Sequence, residues 1–279
     1  VRSIANDAQD RTYYGGDFSR IGRFTGSAMV FDQSLTPLTQ RAVFDGTVRA
    51  SVSDGNGGWY VGGSFRKVNY TPVWGLAHIK ADGSLDTGFQ WGIDMSQSAA
   101  QVNALALTTS GQLIVGGSFP SIRAPGGVQY SRTNIAVLEL TGPGGITLAA
   151  HQPTSASRVI DVAVTGSLIP RVWIATADDA IAGTPELQAW DLGAASSTPI
   201  GTYSGEIRSV TAAPDGTVIV VGNFGYIPWT GVVATPYTVA AIGSTLNFSW
   251  GVTAVSQTAI STAAAVDTSA SPARVYVGG

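Results

Sequence analysis

The residues able to do acid–base, metal or nucleophilic chemistry are few and scattered. The chain has two histidines, His78 and His151, three glutamates, Glu139, Glu186 and Glu206, and no cysteine. Disulfides, thiolate catalysis and cysteine-ligated metal are therefore excluded. A zinc site wants His or carboxylate ligands at short spacing. Neither histidine has them, and His78 reads as a partly buried ring inside a strand. Serine hydrolysis calls for a strained Gly-x-Ser-x-Gly turn, and none occurs. No glycine-rich loop followed by Lys offers a phosphate cradle. Glycoside cleavage needs two carboxylates facing one bond, and no glutamate lies in an aromatic-rich insertion. Asp82-Gly83-Ser84-Leu85-Asp86 could turn oxygens toward calcium, but it lacks the dense ligand spacing of an EF-hand loop and reads as a turn. Pro214-Asp215-Gly216-Thr217 reads as a turn too. These residues nominate no catalytic, cofactor-binding or metal-binding site, and the chain is expected not to be an enzyme.

Recognition chemistry is better supplied. Tyr70, Trp74, Arg123, Tyr130, Tyr226, Trp229 and Tyr237 fall in three connections, 66–74, 120–133 and 225–237. Aromatic rings and arginine are the usual anchors for glycan or protein ligands. These seven are the candidate ligand-contacting residues, and no cofactor is implied.

The elements that would position them come from a repeat. A β-rich run ending in Gly-Gly, a small polar residue and Phe recurs. It reads Tyr13-Tyr14-Gly15-Gly16-Asp17-Phe18, Tyr60-Val61-Gly62-Gly63-Ser64-Phe65 and Ile114-Val115-Gly116-Gly117-Ser118-Phe119. Val220-Val221-Gly222-Asn223-Phe224 is a weaker copy, Trp173-Ile174-Ala175-Thr176-Ala177-Asp178 a degenerate one, and Tyr276-Val277-Gly278-Gly279 a truncated one. Val1, Val48, Val102 and Ile207 stand at one constant distance upstream. Turn residues lie between, as in Asp54-Gly55-Asn56-Gly57, Ser110-Gly111 and Asp215-Gly216, so each unit opens with an antiparallel hairpin. A second hairpin follows the Phe, its first strand visible at 75–79, 134–138, 187–190 and 238–242. Four strands in a repeat of about fifty residues is the pattern of a propeller blade. The expected fold is all-β, a β-propeller of four-stranded antiparallel blades at 1–47, 48–101, 102–158, 159–206 and 207–258, with a partial sixth at 259–279. A half blade leaves open strand edges. The chain is thus expected to be one propeller domain within a longer polypeptide, of six or seven blades when intact, with a five-bladed ring as the alternative. Gly-Gly is expected to serve positive φ or close backbone approach, and the following Phe to wedge between blades. The three connections emerge on one face, and variable insertions on one face mark a binding face.

Composition agrees. Charged residues make up 12 % of the chain and glycine 35 of its 279 residues, against about 25 % charged in an average domain. The net charge is −3 and there is no Arg/Lys run, so neither nucleic acid nor an anionic membrane is an expected partner. No apolar run approaches the roughly 20 residues of a membrane span.

The order Gly-Gly-Ser-Phe, apolar strand, then Asp82-Gly83-Ser84-Leu85-Asp86-Thr87-Gly88-Phe89 resembles the delta-sixty repeat family of β-propellers. That family reads roughly L-x-x-G-G-x-F, then R-x-N-x-A-R-L-x-x-D-G-x-L-D-x-x-F. The second repeat carries nearly all of it. The third carries Gly116-Gly117-Ser118-Phe119 and Arg132-Thr133-Asn134-Ile135-Ala136-Val137-Leu138, and the first carries Gly15-Gly16-Asp17-Phe18 and Phe31-Asp32-Gln33-Ser34-Leu35. The fourth and fifth depart from it. The resemblance implies a bacterial surface or secreted protein, or a minor tail protein of an actinobacterial phage. The expected role is a non-enzymatic binding or structural propeller, foremost a phage minor tail or receptor-binding protein, with a bacterial secreted or cell-surface adhesion or scaffold propeller as the alternative and a glycan-cleaving enzyme ranked below both. Its expected partners are a host cell-envelope glycan or surface protein and other subunits of a tail or surface assembly. Its expected place is extracellular, on a virion or a bacterial cell surface.

Overall fold

The structure is a computed structural model. It describes residues 3–6, 12–15, 27–30, 42–141, 145–150, 153, 155, 157–166, 170–177, 186–192, 198–213, 215–227, 236–242, 248–253, 263–267 and 274–278. The chain forms two compact units, Val1–Leu107 with Leu113–Ala136, and Thr108–Gln112 with Val137–Gly279.

In the first unit β1 (Ser3–Asn6), β2 (Thr12–Gly15) and β3 (Ala28–Val30) make an antiparallel sheet. β4 (Val48–Ser53) pairs with β5 (Trp59–Gly63). A small hairpin, β6 (Lys67–Val68) and β7 (Thr71–Pro72), follows before β8 (Leu76–Ile79) returns to β5. Leu85 adds a single bridge to Ile79 where a fourth strand would run. β9 (Gly92–Ile93) precedes β10 (Gln101–Leu107) and β11 (Gln112–Ser118). A second small hairpin is built from β12 (Ser121–Arg123), a 3-10 turn at Pro125–Gly127 and β13 (Gln129–Ser131). β14 (Ile135–Glu139) opens at the end of this unit and continues into the second, where it pairs with β15 (Thr147–Leu148).

In the second unit β16 (Val159–Thr165), β17 (Arg171–Thr176), β18 (Glu186–Asp191), β19 (Thr198–Ala212), β20 (Val218–Ile227), β21 (Pro236–Ile242) and β22 (Phe248–Thr253) form one antiparallel sheet in chain order. β23 (Ala263–Asp267) and β24 (Arg274–Gly278) form a hairpin. β19 is 15 residues long, and Thr202 pairs with Glu186 on one side and Ile227 on the other. The limit expected at 206/207 thus falls inside a strand that serves both repeats. The connection expected over 225–237 is shorter, because Gly225–Ile227 extend β20 and Pro236 and Tyr237 open β21.

The repeat is sharper in backbone geometry than in sequence. Four inner strands carry a β-bulge at one place: between Val48 and Ala50, Val102 and Ala104, Val159 and Asp161, and Ile207 and Ser209. The bulge lies opposite the Gly-Gly position: Val48 faces Gly63 and Ala50 faces Gly62, while Val102 faces Gly117 and Ala104 faces Gly116. An added Cβ on Gly63 would stand 2.0 Å from the Thr47 carbonyl oxygen, and one on Gly117 would stand 2.1 Å from that of Gln101. Gly-Gly therefore answers close backbone approach, not positive φ. Positive φ is used one step on, at Gly75 and Asn134 (φ 69° and 63°), each of which accepts from the second glycine's N–H. Asn is among the few side-chain-bearing residues that tolerate this region.

The hairpin turns share one hydrogen-bond pattern. Asp54, Lys80, Thr108 and Ala213 each donate to the carbonyl four residues on. Gly57, Gly83, Gly111 and Gly216 sit at the fourth position with positive φ, as a type I turn closed by a left-handed residue requires. Asp82 accepts from Ser84 N–H and Asp215 from Thr217 N–H, so each aspartate braces its own turn. Phe65 is buried in a cluster with Phe44, Val68 and Val73, beneath its own small hairpin and edge-on to Phe44 at 4.8 Å.

Asp161, beside its bulge, ties β16 to β19. It accepts from Ser209 Oγ at 2.8 Å, Val210 N–H at 2.9 Å and Val162 N–H at 2.8 Å. The residue keeps some exposed surface while its carboxyl is enclosed by protein, and that burial pushes it up to about 6 despite the three donors. A raised carboxyl contributes stability below the ordinary carboxylate range that is lost as pH rises through its folded value. The difference in unfolding free energy between wild type and Asp161→Asn, read by urea titration, should therefore change by up to about 3 kcal/mol between pH 4 and pH 6. It should be flat above that window.

Candidate functional site

The site is built by the two small hairpins of the first unit and the segment between them. At the tip of β6–β7, Asn69 and Tyr70 both have positive φ (47° and 69°), the pattern of a two-residue type I′ turn. Asn69 is pinned by two hydrogen bonds to the Val43 backbone. Tyr70 is 95 % exposed and projects away from everything described. Behind the tip, the Trp74 carbonyl accepts from Ile93 N–H at 2.8 Å. β9 also pairs with β12, Gly92 opposite Arg123 and Ile93 opposite Ile122. Gly92 is needed there, since a Cβ would stand 2.6 Å from the Trp74 carbonyl oxygen and 2.7 Å from its Cβ. One short strand thus sets the positions of Trp74, Trp91 and Arg123 by backbone contact.

Between these parts lies a groove of about 430 Å³, within the range of roughly 300–1,000 Å³ of ligand pockets. Its walls are residues 71–74, 85–87 with 89–91, and 123–127. The Arg123 guanidinium lies 4.2 Å over the Trp74 ring. Trp91 is buried and lies near-parallel to Tyr130, centroids 6.4 Å apart. Asp86, Thr87 and Gln90 bring polar groups into the same walls.

Asp86 leads to a buried polar link. His78 Nδ1 is 2.9 Å from Asp86 Oδ2, and His78 Nε2 is 3.0 Å from Asp54 Oδ2. Asp54 is held by its own turn, accepting from Asn56 and Gly58 N–H. Tyr60 stacks on the imidazole at 4.4 Å. Its hydroxyl is pushed up to about 12, first by burial and then by the charges of Asp54 and Asp86. Asp86 is pushed up by burial, yet the hydrogen bond from His78, the Gly88 N–H and the charges of His78 and Lys80 together hold it below the usual carboxylate range.

Of the seven residues predicted as ligand contacts, Trp74 and Arg123 line the groove. Tyr130, 43 % exposed, stands behind Trp91, and Tyr70 stands apart at the hairpin tip. Tyr226 and Tyr237 lie in β20 and β21; their side chains, and Trp229 altogether, lie outside the described residues. Trp91 and Gln90 were not among the expected contacts, and Asp86 was expected only as a turn residue. The available signal was position, because Asp86 and Phe89 belong to the Asp82–Phe89 stretch singled out above and Trp91 lies two residues beyond it.

Residues 55–89 match the model of a family described as a domain of unknown function (DUF5122) beta-propeller. The stretch covers β5 to β8, His78 and Asp86 of the polar link, and part of the groove wall. The chain has the β-propeller fold. Among solved structures, the Dos1 propeller is similar at 12 % identity, with 94 % of this chain and 86 % of that chain covered and a TM-score of 0.47. The RRP9 WD40 repeats are similar at 11 % identity, covering 78 % of this chain and 71 % of that chain, with a TM-score of 0.41. The Cps50 (Swd1) beta-propeller domain of Myceliophteria thermophila shows 10 % identity, 79 % and 80 % coverage and a TM-score of 0.42. No curated protein matches the chain. No helix among the described residues of the propeller is long and apolar enough to cross a membrane.

Proposed function

We propose that this propeller is a non-enzymatic recognition module that holds a cell-surface saccharide in the groove beside Trp74, Trp91 and Arg123. The observation that carries this reading is the groove itself: indole surfaces, one cation, and hydrogen-bonding side chains at Asp86 and Gln90, placed by backbone pairing on β9. Aromatic faces take the apolar side of a sugar ring while polar groups at the rim take its hydroxyls. Asp86 is the one carboxylate residue among those lining the groove, whereas Asp54 meets His78 from outside it. A two-carboxylate cleavage pair needs both groups on one ligand, so binding without hydrolysis is the reading favoured.

The setting proposed is extracellular. Foremost is a minor tail or receptor-binding protein of a phage, reading a host envelope glycan with other tail subunits around it. A bacterial secreted or surface adhesion propeller would use the same groove. The test is a binding screen of the full protein against glycans and whole cells, repeated with Trp74→Ala. Affinity for the recognised glycan should fall about tenfold or more. Equal binding by wild type and variant, or no glycan bound at all, would remove this reading.

A further inference from the structure

We infer that the groove selects an acidic saccharide, one whose ring carries a carboxylate that pairs with Arg123. This rests on the saccharide reading above and narrows it. Arg123 ends β12 with its guanidinium over the Trp74 ring. Among the described residues no carboxylate pairs with it, and the one polar or ring contact of its side chain is the cation–π contact with Trp74. A guanidinium over a ring still has N–H donors along its edge, in the fork that matches a carboxylate.

The wall beside it gives no competing acceptor side chain. Residues 124–127 are Ala, Pro, Gly and Gly, folded tightly by the Ala124–Val128 and Gly127–Ala124 backbone hydrogen bonds. Gly127 has φ +87°, and a Cβ there would come 3.1 Å from an Arg123 Nη. Glycine keeps that flank of the guanidinium open. A cation partly withdrawn from water against an indole gains more from an anion than one in bulk solvent does.

The charges facing Arg123 set the ligand's orientation. Asp86 is the one carboxylate residue lining this groove, and His78 and the Gly88 N–H already occupy one lone pair on each of its oxygens. Its remaining lone pairs accept hydroxyls and repel anions. The acidic end of the sugar is therefore directed to Arg123 and its hydroxyl end to Asp86. One cation opposed by one carboxylate suits a monoanionic uronic-acid residue and disfavours a dianionic phosphate monoester.

The deciding experiment is an array of neutral, uronic-acid-bearing and phosphodiester-bearing oligosaccharides, probed with the full protein, Arg123→Gln, Arg123→Lys and Trp74→Ala. Thermal unfolding confirms that each variant is folded. Hits should concentrate on the uronic-acid set, at least tenfold above their methyl-esterified forms. Arg123→Gln should abolish that preference, and Arg123→Lys should retain part of it. Neutral sugars bound as well as acidic ones, unchanged in Arg123→Gln but lost in Trp74→Ala, would overturn the inference and leave the saccharide reading intact. Hits confined to phosphodiesters would also overturn it. An array with no hits removes both.

Discussion

Gly117→Ala should lower stability by about 3 kcal/mol or more, at the top of the usual range for an overpacked interior site. The new Cβ would lie 2.1 Å from the Gln101 carbonyl oxygen and 3.0 Å from the Val102 Cα. Both are backbone atoms at the start of β10, where the bulge fixes them, so no side chain can rotate away. Gly63→Ala meets the same obstacle, 2.0 Å from the Thr47 carbonyl oxygen. For a chain of this size such a loss lowers Tm by roughly 6–12 °C. Gly126→Ala is the control. It also changes a glycine, at φ 74°, but its Cβ would meet nothing within 4 Å. It should cost only the roughly 1–2 kcal/mol of a left-handed alanine. Equal melting of Gly117→Ala and wild type would refute close approach as the reason for Gly-Gly. The fourth repeat shows that the bulge alone does not demand glycine, since Ala175 and Thr176 hold the equivalent places opposite Asp161 and Val159.

His78→Ala should cost about 2–3 kcal/mol and change the acid limb of the stability curve. The imidazole bridges Asp54 and Asp86, with side chains 15 %, 12 % and 28 % exposed. Its loss leaves two poorly solvated carboxylates without their shared donor and strips Tyr60 of its stacking partner. Asp86 is held below the usual carboxylate range largely through His78, against the upward push of burial. A depressed carboxyl contributes stability above its unfolded value, near 4, and loses it as pH falls through the folded one. Wild type and variant should therefore differ most at neutral pH and converge as pH drops below about 4. Urea unfolding from pH 2.5 to 7 measures this, and parallel curves would show that His78 does not act through Asp86. Because Asp86 also lines the groove, the variant should weaken ligand binding by loosening a wall, while direct ligand contacts stay in place.

These two sites show how differently the features could be read. The hairpins were legible because their causes are local. A glycine at the fourth turn position and a period of two in the strands act over a handful of residues, and both recur at Asp54–Gly58, Lys80–Ser84, Thr108–Gln112 and Ala213–Thr217. That Gly-Gly matters was legible as well. Close backbone approach was one of the two reasons expected for it, and residue type could not choose between them, because the carbonyls concerned belong to Thr47, just before β4, and Gln101, at the start of β10. Phe65 was expected to wedge between blades, and it packs against Phe44 from the preceding repeat as well as Val68 of its own small hairpin. Apolar type alone specifies burial, and the partner is chosen by the path of the chain.

The groove divides in the same way. Trp74 and Arg123 stood out as an aromatic and a cation in variable connections. Nothing local says that one lies over the other, which depends on β9 pairing with β12 while Trp74 hydrogen-bonds Ile93. Asp54, His78 and Asp86 looked like a turn residue, a strand residue and a turn residue, and only the β4–β5–β8 register and the return of the chain after Lys80 bring them together. By itself the sequence determined an all-β repeat, its hairpins and the places where glycine must stand, since strand period and turn dihedrals are properties of neighbouring residues. The tertiary structure decided which side chains meet across those hairpins: the bulge facing Gly-Gly, the Asp–His–Asp link and the Trp74–Arg123 contact. Such meetings rest on contacts between residues far apart in the chain, and residue type alone does not encode them.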